Sequence, residues 1–292
     1  MSLLPVRLPA MGPKFRCDAW LEVDQERPAR HGEAPAIEEA ESAQTKRSVN
    51  KEPLHYPSAA SHDETELSSI VETLSLHCAD LQAVGFHIFD PPKEEPLESI
   101  ANRFGQPSAL GTGRPAVDVL VPTRRGASRP GTLSFIHGTD AFPLHTETAH
   151  WRNPVELVLL RCVSPGAGRR PTLLVDGWDL GLGDTAVAQL AQSLMIVKSG
   201  ARSFLSSLAD LGHQRTDLRY DSACMKPATD ADRRILEGFE DVLAAARPHT
   251  VSWEPGQCLI FDNRRMLHSR AGSPVADRDR RLERIYISEK RP

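Results

Sequence analysis

His145 and Glu147 lie two residues apart in the stretch FPLHTETAHW, which runs from Phe142 to Trp151. In a helix such a pair points in different directions, whereas in an extended segment both side chains project from the same face. A third residue of this chemistry, His268, follows the strongly apolar run QCLIFDNRRML much later in the chain. If the first segment is a strand, two imidazoles and one carboxylate can therefore meet at a single point.

Two histidines and one carboxylate on one side of a metal ion leave its opposite positions open. This is the ligand set of non-haem Fe(II) oxygenases, in which the open positions take a cosubstrate and O2. Each part alone has an ordinary interpretation, because a His-x-Glu pair also occurs as exposed polar residues at a strand end. A lone histidine after an apolar strand is often a surface or packed residue. The prediction of an iron site therefore rests on the combination of His145, Glu147 and His268.

The composition is that of a globular protein, and it limits the remaining function classes. The chain has 292 residues, of which 40% are hydrophobic and 25% charged, with a formal net charge of -4. No apolar run approaches the roughly 18 residues that span a bilayer, and the N-terminal stretch lacks the features of a secretory signal. A mildly acidic chain is also a poor nucleic-acid binder. We therefore expect a cytoplasmic protein that acts on a small molecule, with neither nucleic acid nor a membrane as partner.

Short strands with flanking helices are predicted to position these residues. Residues 1–60 are polar and of mixed charge without a clear period, which predicts a variable or loosely ordered extension. Residues 61–292 are predicted to form one domain, in which a first helix ends at Gly85 and short strands with Gly/Pro turns follow. The predicted strands are FHIFD, VDVLVP, TLSFIHG, VELVLLRCV, TLLVDG, TVSW, QCLIFDN and RIYIS.

Further helices are predicted among these strands. The stretch PLESIANRFG indicates a short helix, and DTAVAQLAQSLM and TDADRRILEGFEDVLAAA indicate two helices in an insert over about residues 183–247. No glycine-rich phosphate-binding motif occurs, which argues against a doubly wound parallel sheet. The predicted fold is mainly β with flanking helices, on a sandwich or jelly-roll core. The polar segment within residues 200–230 and the loop before His145 are predicted lids.

Four motifs, in this order, resemble the taurine dioxygenase and clavaminate synthase superfamily of Fe(II)/2-oxoglutarate-dependent dioxygenases. They are HTETAHWRNPVELVLLRC, TLLVDG, WEPGQCLIFDNRRMLHSR and DRRLERIYI. The resemblance runs from about Leu67 to Ile287 and implies a double-stranded β-helix (jelly-roll) core. It also implies that His145, Glu147 and His268 hold Fe(II), with no catalytic side chain beyond the metal centre.

The same resemblance assigns residues to 2-oxoglutarate and to the substrate. Arg280, twelve residues after His268, matches the arginine that pairs with the far carboxylate of 2-oxoglutarate, a bidentate contact suited to guanidinium. Thr172 matches the threonine whose hydroxyl binds that carboxylate, although the preceding loop reads GAGRRPT where the family often has Gly-Gly. Arg284 matches a second arginine that often binds a substrate anion. In a strand, Arg280 and Arg284 share one face while Arg281 points away.

The function implied by the resemblance is that of an oxidoreductase that consumes 2-oxoglutarate and O2, releases succinate and CO2, and by default hydroxylates an unactivated C–H bond. Glutamate at position 147, where taurine dioxygenase relatives mostly have aspartate, favours the clavaminate synthase side and an amino acid or amino-acid-derived substrate. Two alternatives stay open. One is a non-catalytic, cupin-like protein that binds a metal or ligand. The other is a zinc hydrolase with the same three ligands, for which His150 is the nearby candidate base.

Overall fold

The computed structural model describes residues 79–108, 115–212, 216–272 and 277–288. The predicted extension over residues 1–60 and the start of the first predicted helix lie outside these residues. Residues 79–84 are helical and end at Gly85, whose φ of 85° is a left-handed conformation that glycine adopts without strain. Among the described residues, no helix combines the length and the apolar character needed to cross a bilayer.

Strands dominate the described part of the chain, and all of their pairings are antiparallel. The strands are β1 (Phe86–Phe89), β2 (Gln106–Ser108), β3 (Asp118–Leu120), β4 (Leu157–Ser164), β5 (Thr172–Asp176), β6 (Met195–Ser199), β7 (Arg202–Ser206), β8 (Ala209–Leu211), β9 (Thr216–Leu218), β10 (Met225–Pro227), β11 (His249–Val251), β12 (Cys258–Asp262), β13 (Met266–Arg270) and β14 (Arg281–Ser288). The α-helices are α1 (Leu97–Asn102), α2 (Leu133–His137), α3 (Asp184–Gln192) and α4 (Asp230–Ala245).

Two sheets form the jelly-roll core. The major sheet has the order β1-β12-β4-β14-β2, with β3 also paired to β14, and the minor sheet has the order β11-β5-β13. Val158 and Leu160 of β4 and Phe261 of β12 pack against Leu174 of β5 and Trp253, which fills the space between the sheets. The predicted mainly-β fold with a jelly-roll core is therefore confirmed.

Helices cover the other face of the major sheet. Leu157 and Leu159 of β4 and Ile260 of β12 alternate with the inward residues and pack against Ile100 and Phe104 from the α1 region. Each such buried aliphatic side chain contributes about 1.5–3 kcal/mol relative to exposure. Because both faces are covered, β12 is buried at every position, and this rigid strand leads directly to β13 and the predicted ligand His268.

The segment over residues 183–247 contains the two predicted helices and also strands β6 to β10. The sheet β10-β6-β7 packs against α3 and α4. Helix α4 begins with a capping box, in which the Thr229 hydroxyl accepts from the Asp232 amide and the Asp232 carboxylate accepts from the Thr229 amide. Its buried residues include Phe239 and Leu243. Strands β7 to β9 lie within the segment that was predicted to be a lid.

The stretch TLSFIHG forms α2, so the prediction of a strand there is wrong. Thr132 caps the helix, because its Oγ1 accepts a hydrogen bond from the amide of Phe135 at 3.2 Å. Gly138 ends the helix with a φ of 58°. The capping at both ends favours a helix over Leu133–His137. The strand propensity of these five residues is too weak to prevail, because they have no partner strand among the described residues.

Candidate metal centre

His145 and His268 lie opposite each other on adjacent chain segments at the edge of the minor sheet. His268 lies in the middle of β13, and His145 forms an isolated bridge with it, in which each amide donates to the other residue's carbonyl, at 3.0 and 2.9 Å. Directly opposed residues project from the same face, and the ring centroids are 4.2 Å apart. His145 Nδ1 lies 3.0 Å from the carbonyl oxygen of Pro143. Since only a protonated nitrogen can donate to a carbonyl, this contact leaves Nε2 as the ligand atom.

Glu147 does not lie on a strand, so the expectation of an extended HTE segment is wrong. After the bridge at His145 the chain turns, and Thr148 has a φ of 54°. The Asn263 side chain holds this turn, because its Oδ1 accepts from the Glu147 amide at 2.7 Å and its Nδ2 donates to the Glu147 carbonyl at 2.9 Å. The Thr148 hydroxyl adds a bond from the amide of Val155 at 3.0 Å. A braced turn therefore aims the carboxylate.

The three predicted ligands converge on one point. One ligand atom from each of His145, Glu147 and His268 lies within 4.8 Å of the other two, and Glu147 Oε2 is 3.4 Å from His268 Nε2. Two imidazoles and one carboxylate at this separation suit a divalent first-row metal such as Fe(II), bound on one face. We call these three residues the metal centre.

Electrostatics keep His268 and Glu147 in the forms that bind a metal. Burial lowers the pKa of His268 to about 4, helped by the nearby His145 ring, so this imidazole is neutral at pH 7. Burial alone would raise the pKa of Glu147, but the Arg284 guanidinium and a hydrogen bond from His268 hold it well below its usual range. Metal ligands of these types must be a neutral imidazole and an ionised carboxylate, and both conditions are met.

Two side chains of β14 bind the carboxylate of Glu147. The Tyr286 hydroxyl donates to Oε1 at 2.8 Å, and Arg284 Nη1 donates to Oε2 at 2.9 Å. Arg284 Nη2 also donates to Asp118 Oδ2 at 2.7 Å. Arg284 thus contacts two carboxylates of the protein, and its binding of a substrate anion stays a prediction. Sequence reasoning missed Tyr286, although a position two residues after Arg284 in a strand shares its face.

Arg280 belongs to a second charged group, which we call the arginine cluster: Arg170, Arg270 and Arg280. Arg280 is 5% exposed, and its Nε has no hydrogen-bond partner among the described residues. Arg170 Nε lies 3.3 Å from Asp277 Oδ2. Burial lowers the pKa of Arg280. Burial, and then the charges of Arg280 and Arg170, lower the pKa of Arg270 to about 10. As predicted, Arg280 is buried while Arg281 is exposed.

Thr172 lies beside the arginine cluster, opposite Arg270 in the pairing of β5 with β13. Its Oγ1 accepts a hydrogen bond from Trp253 Nε1 at 3.0 Å, so the hydroxyl proton remains to be donated elsewhere. The Thr172–Arg270 pair is two residues along the sheet from the pair of Leu174 with His268, which is roughly 7 Å. Thr172 and Arg270 of the cluster therefore lie two residues along the strands from the metal centre, on the same face of the minor sheet.

The GAGRR loop, which departs from the expected glycine pair, wraps around Asp277. A Cβ on Gly166 would lie 1.9 Å from Asp277 Oδ1, and the φ of Gly166 is 71°. The amide of Gly168 donates to the same oxygen at 3.1 Å. This path places Arg170 in contact with Asp277. No sequence signal marked either residue, because their contact joins segments about a hundred residues apart.

Comparisons with known proteins found one family model and several solved structures that are similar to this chain. Residues 197–286 match the family model described as "Taurine catabolism dioxygenase TauD, TfdA family", whereas a comparison with curated proteins gave no match. Among solved structures, the chain is similar to asparagine oxygenase in complex with Fe(II), 2S,3S-3-hydroxyasparagine and succinate. The identity is 19% and the TM-score 0.61, over 76% of this chain and 79% of that chain.

A second similar structure is the non-heme iron oxygenase OrfP in complex with Fe and alpha-ketoglutaric acid. Its identity is 17% and its TM-score 0.60, over 76% of this chain and 80% of that chain. At such identities the structural matches establish the fold. The family match covers the segment that carries His268, Arg280 and Arg284, and it favours the dioxygenase over the zinc hydrolase and the non-catalytic binding protein. His150, the candidate base of the hydrolase, is exposed.

Proposed function

We propose that this chain is an Fe(II)- and 2-oxoglutarate-dependent dioxygenase, which uses O2 to hydroxylate an unactivated C–H bond of a small molecule. The match of residues 197–286 to the TauD family model supports this proposal. The observation that carries the proposal is the convergence of the His145, Glu147 and His268 ligand atoms within 4.8 Å. Bound there, Fe(II) and 2-oxoglutarate supply an oxidation coupled to decarboxylation, which releases succinate and CO2.

The protein's own part begins with holding the iron. The bridge between His145 and His268 fixes two imidazoles on neighbouring strands, while Asn263 fixes the turn of Glu147. Tyr286 donates to the Glu147 oxygen opposite the one nearest His268. Arg284 donates to the second oxygen, Oε2, so the protein holds both carboxylate oxygens and fixes the orientation of Glu147 before a metal binds.

Arg280 and Thr172 are the groups that we assign to the far carboxylate of 2-oxoglutarate. The buried Nε of Arg280 without a partner and the Thr172 hydroxyl proton supply donors beside the metal centre. Thr172 lies roughly 7 Å along the sheet from the position of His268, a separation that suits a five-carbon dicarboxylate whose keto-acid end reaches the metal. The cluster also excludes water from this end of the site, because Arg170 and Arg280 are almost fully buried.

The substrate class that we propose is an amino acid or an amino-acid derivative. The similar solved structures include complexes with hydroxyasparagine and with hydroxyarginine. In this chain, the backbone of Tyr220 pairs with Thr146 between the two ligands of the turn. Burial lowers the pKa of His150, and the charges of Glu147 and then of Asp221, the residue after Tyr220, oppose that shift. We assign the Asp221 carboxylate to a substrate ammonium or guanidinium group, with which it can form an ion pair.

The first test is a binding experiment under anaerobic conditions. Protein loaded with Fe(II) and 2-oxoglutarate is expected to develop the weak visible charge-transfer band of the iron chelate. The band should be absent in His268→Ala and weakened in Arg280→Ala, and it should be unchanged in Arg281→Ala, which removes the exposed neighbouring arginine. A folded, iron-loaded wild-type protein without this band would contradict the proposal.

A second test addresses the substrate class. Succinate release in the presence of O2 should be stimulated by one or more of the free L-amino acids or their simple derivatives. Asp221→Asn should then raise the KM for a cationic substrate while leaving the chelate band intact. If carboxylic acids without an amino group stimulate turnover and amino acids do not, the amino-acid class is wrong while the dioxygenase activity stands.

A further inference from the structure

We propose that Arg270 is a second binding group for the far carboxylate of the cosubstrate, and that it couples the arrival of that carboxylate to residues 138–142. The inference rests on the proposed function and adds a residue to which neither motif spacing nor the comparisons assign a role. We call residues 138–142 the approach segment, because they lead into the first metal ligand, His145.

The charge balance of the arginine cluster is incomplete. Three guanidinium groups, those of Arg170, Arg270 and Arg280, lie around the buried carboxylate of Asp277, and the exposed Asp140 also acts on Arg270. The side chains of Arg170 and Asp277 are 2% and 0% exposed. Arg170 and Arg280 are buried and Arg270 is half-buried, so an excess of positive charge in this cluster is costly to maintain without a counterion. We therefore expect the arginine cluster to bind an anion, and a single carboxylate would reduce the excess positive charge by one.

Arg270 has a donor left for that anion. Its Nε is buried and has no hydrogen-bond partner among the described residues, as is also the case for Arg280 Nε. Arg270 and Thr172 are directly paired across β13 and β5. Arg270 thus lies between the metal ligand His268, two residues before it, and the groups assigned to the far carboxylate.

The other end of Arg270 holds the approach segment. Its Nη2 donates to the carbonyls of Gly138 and Asp140, both at 2.6 Å, and its guanidinium lies 3.8 Å from the centroid of the Phe142 ring. The Arg270 carbonyl also accepts from the amide of Phe142 at 2.9 Å. Arg170 Nη1 donates to the carbonyl of Thr139. Arg170 and Arg270 therefore both bind backbone carbonyls of the segment that precedes His145.

These contacts predict a specific coupling. A carboxylate bound by Arg270 Nε holds the planar guanidinium in place, and the Nη2 bonds to the approach segment then become harder to break. A 2-oxo acid that lacks the far carboxylate cannot have this effect, although its keto-acid end can still reach the metal. The contribution of Arg270 should therefore appear only with dicarboxylates.

The test compares two ligands that differ only at the far end. The binding of 2-oxoglutarate and of 2-oxopentanoate to full-length protein loaded with Mn(II) is measured by anaerobic calorimetry. We expect Arg270→Met to weaken 2-oxoglutarate by about tenfold or more, equivalent to at least about 1.4 kcal/mol, and to leave 2-oxopentanoate nearly unchanged. Arg270→Lys keeps the charge without the fork and should fall between. Arg281→Met, which removes an exposed arginine, should match the wild type.

Hydrogen exchange provides the readout for the approach segment. 2-Oxoglutarate should slow amide exchange over residues 138–142 in the wild type, whereas 2-oxopentanoate should not, and neither ligand should do so in Arg270→Met. Equal weakening of both ligands, or no weakening, would overturn the inference while leaving the proposed function intact. If metal-loaded wild type binds neither 2-oxo acid, the proposed function and this inference fail together.

Discussion

The metal centre and the arginine cluster lie side by side, yet they differ in how completely the protein satisfies its own charges. At the metal centre, both oxygens of Glu147 receive hydrogen bonds from Tyr286 and Arg284. In the arginine cluster, Asp277 is the buried carboxylate beside the three guanidiniums, and the Nε atoms of Arg270 and Arg280 have no hydrogen-bond partner among the described residues.

The metal centre is therefore preorganised, whereas the arginine cluster still lacks a counterion. The metal centre has its ligands oriented before any metal arrives, so the cost of ordering them is met during folding. The arginine cluster instead retains an excess of positive charge, whose burial opposes folding until an anion binds. Substitutions in the two regions should therefore have opposite effects on the metal-free protein and distinct effects on ligand binding.

The largest expected effect is the loss of a ligand from the metal centre. His268→Ala should abolish detectable Fe(II) or Co(II) binding, because two ligands cannot hold the ion in a half-buried site. Anaerobic metal titration followed by spectroscopy gives the result, and His249→Ala, which removes an exposed histidine on β11, is the control. Retained stoichiometric metal in His268→Ala would place the ion elsewhere.

Arg280→Met separates the two regions most clearly. Removing one uncompensated charge should reduce 2-oxoglutarate affinity by about a hundredfold, roughly 2.7 kcal/mol, while metal affinity stays near that of the wild type. The metal-free variant should have an unchanged or higher melting temperature, since Arg280 has an unpaired buried Nε. Calorimetry of binding and thermal denaturation measure the two quantities. A marked fall in melting temperature would indicate that Arg280 is already compensated.

Tyr286→Phe tests the preorganisation of Glu147. The variant loses the bond to Oε1, and we expect metal affinity to fall by about tenfold with little change in fold. The matched control is Tyr220→Phe, because the Tyr220 hydroxyl also donates to a glutamate, Glu240, at 2.8 Å, but away from the metal centre. Equal metal affinity in both variants would show that the Tyr286 bond does not orient the ligand.

The smallest expected effect is on the pH dependence of stability. The folded pKa of His268 is about 4, below the unfolded value of about 6.5, so between these values the unfolded chain binds more protons. The free energy of unfolding of the metal-free protein should therefore decrease as pH falls from 6.5 towards 4.5, by on the order of 1–2 kcal/mol.

Denaturant titration of metal-free protein across this pH range measures the dependence. His268→Asn should reduce it, while Arg280→Met should preserve it, because the arginines of the cluster stay charged throughout the range. A pH dependence that is unchanged in His268→Asn would contradict this assignment to the metal centre.

The sequence determined the residue types and their order. Short apolar runs predicted β4, β12 and β14, because a strand that is covered on both faces carries apolar side chains at successive positions. The spacing of His268, Arg280 and Arg284 and the family resemblance identified the candidate residues. The buried Arg280 and the exposed Arg281 agree with the predicted alternation, although Arg280 precedes β14 and the strand register shifts after Arg281. Extended by two residues from Arg284 on β14 and from His268 on β13, the same rule would have found Tyr286 and Arg270.

Only the tertiary structure determined how Glu147 and the arginine cluster are positioned. Glu147 reaches the metal centre from a turn with a left-handed residue, held by Asn263 more than a hundred residues away, and local sequence does not specify such a partner. The cluster around Asp277 likewise joins the GAGRR loop to the start of β14. Contacts of this kind depend on which loops the two sheets bring together, and long-range packing fixes that arrangement.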